Sequence, residues 1–164
     1  MDLELTRVQG DRRLYELSGV GTLRLGGFWS RDATAEAGGL RWQITRRLWS
    51  RVIEAAAEAG APAGSFQGKT IRRGGTLNWG SNEFTLRPAS TWRERYALAV
   101  GDHEFAIFDG KSWGKRPVKV TIADPSGIEP GLLLFAAYVV RVLAEDADAA
   151  AAGAATASTA ATSG

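Results

Sequence analysis

The stretch EPGLLLFAAYVVRVLAEDA, Glu129 to Ala147, is the most hydrophobic passage of the chain, and the architecture turns on whether it spans a membrane or fills a core. Its uninterrupted apolar run extends from Leu132 to Val140 and is closed by Arg141. A membrane-spanning helix needs about 20 apolar residues, and shorter runs are more often core helices or interfacial segments. Pro130 suits the first turn of a helix, where its missing N–H needs no partner. At 3.6 residues per turn, Leu132, Leu133, Leu134, Phe135, Tyr138, Val139 and Val140 fall on every side, and such a helix must be enclosed all round. Arg141 suits the negative pole of the helix dipole and can extend its head toward water. The passage is therefore expected to be a core helix over about 130–144, without a transmembrane segment.

What encloses it must come from the residues before Pro130, and these alternate with a period of two. LELTRV (3–8) and RRLYEL (12–17) flank QGD, a hairpin signature. GTLRLGGFW follows, and in GLRWQITRRLW the residues Leu40, Trp42 and Ile44 alternate with Arg41 and Gln43. GGTLNWGSNEFTLRP places two strands around a Gly-Ser-Asn turn. Further inward-facing sets are expected at Tyr96/Leu98/Val100, Phe105/Ile107 and Val118/Val120/Ile122. SRVIEAAAEAGAP reads either as a short helix, from its alanines, or as a strand. Such alternation gives one buried and one wet face, the habit of antiparallel sheets. Roughly ten to twelve strands followed by one wholly apolar helix imply a mainly β fold whose antiparallel sheet wraps around that helix.

The 164 residues suffice for one domain with a substantial core. Cysteine is absent, which excludes disulfides, thiolate chemistry and cysteine-ligated metals. The start, MDLELTRVQGDRR, has no apolar segment of the secretory kind, so a cytoplasmic location is expected. The net charge is +2, but Glu145, Asp146 and Asp148 lie after Leu143 with no basic residue, and without them 20 basic residues face 15 acidic ones. The excess is carried by 16 Arg and 4 Lys, and implies either a solvated surface or an attraction to phosphate. The last residues, AAAAGAATASTAATSG, are low in complexity and bury little, so disorder is expected over 147–164, after a barrel domain over 1–146.

The strand series Leu3–Ile122, the strand in SWGKRPVKVTI and the segment DPSGIEPGLLLFAAYVVRVLA together resemble the tubby C-terminal-like superfamily, which includes tubby-like proteins, phospholipid scramblases and LURP-one-related proteins. The likeness covers all but the tail and is nearest to small actinobacterial members. It implies a twelve-stranded antiparallel barrel closed around a hydrophobic C-terminal helix, and it implies binding of phosphoinositide or other anionic lipid through basic residues. DPSGIEPG lacks the spaced carboxylates of a calcium loop, which argues against scrambling.

Catalytic motifs fail on inspection. GKSWG (110–114) matches a G-x-S-x-G nucleophile pattern, but a strand follows it and the single histidine, His103, precedes it. A phosphate loop would need glycine where Phe105 stands. His103, beside Asp102 and Glu104, reads as a hairpin residue, and one histidine without cysteine makes a zinc site unpromising. GVG (19–21) reads as a turn. No catalytic residue, metal or cofactor is expected.

What remains is tryptophan beside arginine. RWQITRRLWSR, STWRER and KSWGKRP place Trp42, Trp49, Trp92 and Trp113 next to basic residues. Tryptophan favours the membrane–water boundary and arginine pairs with phosphate, although the same rings could fill the barrel wall. Arg72, Arg73, Lys115, Arg116 and Trp113 are the candidate ligand-binding residues, for an anionic phospholipid surface or a protein partner, with nucleic acid disfavoured. Clustering of Arg46, Arg47, Lys69, Arg72, Arg73, Arg93, Arg95, Lys115 and Arg116 on one face would favour a binding module. Even scattering would favour a structural or accessory protein offering an assembly surface, and an enzyme without recognisable motif is the remaining alternative.

Overall fold

The computed structural model describes residues 1–27, 32–47, 50–58, 60–110 and 118–162, with side chains to residue 155. Twelve strands precede one helix: β1 Asp2–Arg7, β2 Leu14–Leu17, β3 Gly21–Leu25, β4 Ala33–Ala37, β5 Leu40–Arg46, β6 Val52–Ala57, β7 Gly64–Gly68, β8 Gly75–Trp79, β9 Asn82–Pro88, β10 Arg95–Val100, β11 His103–Asp109, β12 Val118–Ile122 and α1 Pro130–Thr162. Each strand pairs antiparallel with its neighbours in sequence, and β1 closes on β12, with Leu3 opposite Val120 and Leu5 opposite Val118. The result is a closed barrel without a free sheet edge. The segment 52–57, open to two readings from its alanines, is a strand because Ile53 and Ala55 face the interior and pair with Phe66 and Gly64.

Alternation sets the inward face almost everywhere. Leu3, Leu5, Trp42, Ile44, Phe66, Leu77, Leu86 and Leu98 are buried, while Arg41 and Gln43 are exposed. On β11 the expected face is reversed: Ala106 and Phe108 are buried, and Phe105 and Ile107 are only half-buried. The reason is register. Phe108 lies opposite the inward Tyr96 and Ala106 opposite the inward Leu98, after which a bulge between Leu98 and Ala99 shifts the pairing. Leu40 and Val100, also expected inside, stand at strand ends beside tight turns and are exposed.

The barrel interior is filled by α1. Leu132 to Val140 are all buried, as a helix apolar on every side requires. Its first turn lies against β5 and β8, where a Cβ on Gly131 would come within 2.6 Å of the Trp42 ring and 2.7 Å of Trp79. Only glycine lets the helix pass between these two indoles. Trp42 Nε1 donates to the carbonyl of Pro62, and Trp79 Nε1 to a Glu129 carboxylate oxygen, each at 2.9 Å. At the far end Val140 and Ala144 lie against Gly110, and Arg46, the last residue of β5, pairs with Asp146. The helix thus threads the barrel from one rim to the other. Among the described residues, no helix is long and apolar enough to cross a membrane.

The helix is longer than the sequence suggests. Its last buried residue is Ala144, yet helical backbone continues to Thr162, through the stretch expected to be disordered. Alanine has the highest helix propensity, and the extension grows from a turn already fixed by packing, so it needs no new nucleus. At about 1.5 Å per residue the part after Asp146 projects about 24 Å beyond the rim.

Candidate functional site

In an up-and-down barrel the strand connections alternate between two rims, and here the two differ sharply. One rim holds the connections 18–20, 38–39, 58–63, 80–81, 101–102 and 123–129. Within them the charged residues are Glu58, Asp102, Asp124 and Glu129, all acidic. The opposite rim holds the connections β1–β2, β3–β4, β5–β6, β7–β8, β9–β10 and β11–β12. Their described residues include Arg12, Arg13, Arg47, Arg51, Lys69, Arg72, Arg73 and Arg93, against Asp11, Asp32 and Glu94. Arg46 and Arg95 end and begin strands on this same rim. The barrel therefore carries its charge asymmetrically along its axis, basic where the helix leaves and acidic where it begins.

At the basic rim a cavity of about 590 Å³ opens between the helix and the β7–β8 connection. Its floor is apolar: Ile53 and Phe66 from the wall, Val142, Leu143, Ala147 and Ala150 from the helix. Its mouth is lined by Arg46, Arg51, Lys69, Arg72 and Arg73, with Glu94 and Asp146 the only carboxylates among the described residues that line it. Five cations against two anions leave the mouth positive. Arg46 pairs with Asp146, while the Arg51 guanidinium donates to the carbonyl of Lys69. Among the described residues, Arg51, Lys69 and Arg72 have no carboxylate partner.

Arg72 and Arg73 are neighbours in sequence with different tasks. Arg72 is exposed at the mouth, free to meet an anion. Arg73 turns inward: Nη1 donates to Glu94 Oε1 at 3.2 Å, and Nη2 donates to the carbonyls of Ser90 and Arg93. Tyr96 completes this group, its hydroxyl donating to Glu94 Oε2 at 2.6 Å and its ring 5.8 Å from the Arg73 guanidinium. Burial, then the bond to Glu94, pushes the Tyr96 hydroxyl well above its ordinary range, so it stays a neutral donor. Burial also pushes Tyr138 up, to about 12. Arg73 is thus a staple joining the β7–β8 and β9–β10 connections.

Both connections are shaped by their own backbones. The amide of Lys69 donates to the carbonyl of Gly74 at 3.0 Å, closing the first loop. Gly74 has φ +86, and a Cβ there would fall 2.2 Å from the carbonyl oxygen of Leu86, so glycine is required on both counts. In the second loop Ser90 Oγ accepts from the amides of Trp92 at 3.3 Å and Arg93 at 3.2 Å. Held this way, the loops project Ile71 and Trp92 outward, 96% and 93% exposed.

Of the sequence-derived candidates, the structure brings Arg72 and Arg73 to the basic rim together with Arg46, Arg47, Lys69, Arg93 and Arg95. Trp113, Lys115 and Arg116 fall within 111–117, outside the described residues, and Trp49 lies outside them too. Trp42 is not a surface residue: it is a core ring 5.5 Å from Trp79. Arg51 and the apolar cavity floor were missed by sequence reasoning. The signal was the alternation of arginine-bearing connections with connections that carry no basic residue, which becomes spatial only once the strands are known to form an uninterrupted meander. His103, at the acidic rim, bonds Asp124 at 2.7 Å, and no group of residues suited to a metal is found among the described residues. Comparison with known proteins found no matching family model, no matching curated protein and no matching solved structure.

Proposed function

We propose that this chain is a non-catalytic binding module that docks on anionic lipid through its basic rim, in keeping with the tubby-like resemblance of its strand and helix series. The observation that carries this reading is the cavity mouth, where Arg51, Lys69 and Arg72 have no carboxylate partner among the described residues and stand above an apolar floor. A phosphate-bearing headgroup meets cations there, while its apolar part meets Ile53, Phe66 and Leu143. The acidic opposite rim orients the barrel by repulsion from the same surface. Each basic residue held near an anionic leaflet contributes ~1 kcal/mol, so three give reversible, peripheral binding. A cytoplasmic protein would meet such a leaflet on its inner face.

The test is sedimentation with vesicles of phosphatidylcholine alone and with added phosphatidylserine. Binding is expected only with the anionic lipid, and should weaken as salt shortens the Debye length from about 10 Å at 0.1 M to about 3 Å at 1 M. Lys69→Glu combined with Arg72→Glu should abolish it without unfolding, because both side chains are exposed. Equal partitioning to neutral and anionic vesicles, or none to either, would overturn this reading in favour of an assembly surface for protein.

A further inference from the structure

The geometry points to Ile71 and Trp92 as a pair of membrane-inserting tips that seat one sector of the basic rim in the lipid interface, with the barrel axis inclined to the surface. This inference rests on the lipid reading above and adds an apolar, salt-insensitive component to it. Among the described residues these two are the most exposed large apolar side chains, and both stand on the same rim. They occupy the tips of the β7–β8 and β9–β10 connections, which Arg73 ties to one another through Glu94, Ser90 and Arg93. Each tip is followed directly by an exposed arginine, Arg72 after Ile71 and Arg93 after Trp92.

Three features favour a lipid surface over a protein as the occupant. The apolar groups are single side chains on projecting loops, whereas a protein hot spot is packed in a desolvated pocket at the centre of an interface. Isoleucine offers only apolar surface, while the indole also has an N–H that stays satisfied among headgroups. The adjoining arginines lie where phosphates would be, one residue back from each tip.

The inclination follows from the helix. It leaves the barrel through the same rim and projects about 24 Å beyond it, so an upright approach would bring the helix to the surface before the tips. The two tips lie on adjacent connections, however, and mark a sector rather than the whole rim. Leaning on that sector brings them to the interface while the helix stays inclined.

Since the chain has no cysteine, one can be placed at will and labelled with an environment-sensitive fluorophore. Thr91→Cys reports beside the tips, Gln9→Cys reports across the same rim, and Ser81→Cys reports at the acidic rim; all three positions are exposed. With phosphatidylserine-containing vesicles, only the label at position 91 should shift to the blue. In sedimentation, Ile71→Ser with Trp92→Ser should weaken binding at least about tenfold at low and high salt alike, since burying two large apolar side chains is worth that much. Anionic-vesicle binding that is unchanged in this variant, or equal shifts at positions 91 and 9, would overturn the inserted, inclined tips and leave the lipid reading standing. Absence of vesicle binding by the unaltered protein would overturn both. A dimer in sedimentation velocity that the variant abolishes, without vesicle binding, would assign the tips to a second copy and overturn both.

Discussion

The two rims of this barrel are built from the same strands and differ in nearly every other respect. At the acidic rim the β4–β5, β8–β9 and β10–β11 connections are two-residue turns containing glycine, and the indoles of Trp42 and Trp79 close over the start of the helix. At the basic rim the β7–β8 and β9–β10 connections are six residues long, and Trp92 is exposed. Trp79 is built into the core, and Trp92 is left exposed. Beside the glycine turns aromatic surface is buried; on the arginine-rich β9–β10 connection it is not.

The most severe break in this contrast is Trp79→Ala. Trp79 is 2% exposed, touches both Trp42 and Phe135, and bonds Glu129, so its loss should cost about 3–5 kcal/mol in denaturant unfolding. Phe135→Ala, in the same cluster, belongs to that range, whereas Trp92→Ala should stay within about 0.5 kcal/mol of the unaltered protein. Equal costs at positions 79 and 92 would erase the distinction between the rims.

A finer contrast lies within the basic rim. Arg73→Ala removes the bonds to Glu94 and to two loop carbonyls and should cost about 1–3 kcal/mol, while Arg72→Ala should cost almost nothing and weaken anion binding instead. Stability and vesicle binding, measured on both variants, should therefore move in opposite order.

The smallest effect is on acid stability. Asp11 is held below 3.8, first by the amide of Arg13 and then by Arg24; Asp124 is held below it by Ser126 and then His103. Carboxylates depressed in the folded state stabilise it fully above their ordinary pKa, and this stabilisation is lost progressively as pH falls through the depressed folded-state value. The melting temperature should thus be level down to about pH 4 and decline below it, with only a small contribution from these exposed groups. A decline that begins near neutrality would implicate other groups.

An antiparallel sheet of roughly ten to twelve strands wrapped around a core helix was legible because two periods are written plainly, two residues before Pro130 and an all-round apolar run after it; the count of twelve was what the resemblance implied. Register was not. Phe105 and Ile107 alternate as convincingly as Ala106 and Phe108, and only pairing with Tyr96 and Leu98 decides which pair faces in. The role of Arg73 was equally hidden: RR at 72–73 offers two identical side chains, and only the position of Glu94 on the neighbouring connection separates the free cation from the staple. The helix beyond Ala147 was misjudged for a different reason. Its residues bury almost nothing, so packing arguments are silent there, and alanine propensity acting on an existing helix decides.

The threading of the helix through the barrel constrains the order of assembly. Pro130 follows the last strand, so the segment that fills the centre is synthesised after all twelve strands. Were the β1–β12 seam to close first, the following chain would have to be pushed through a finished ring, and folded proteins avoid such threading. The sheet must instead remain an open, curled ribbon until the helix lies along it. The seam between the two terminal strands, where Leu3 and Leu5 meet Val120 and Val118, is then the last joint to form.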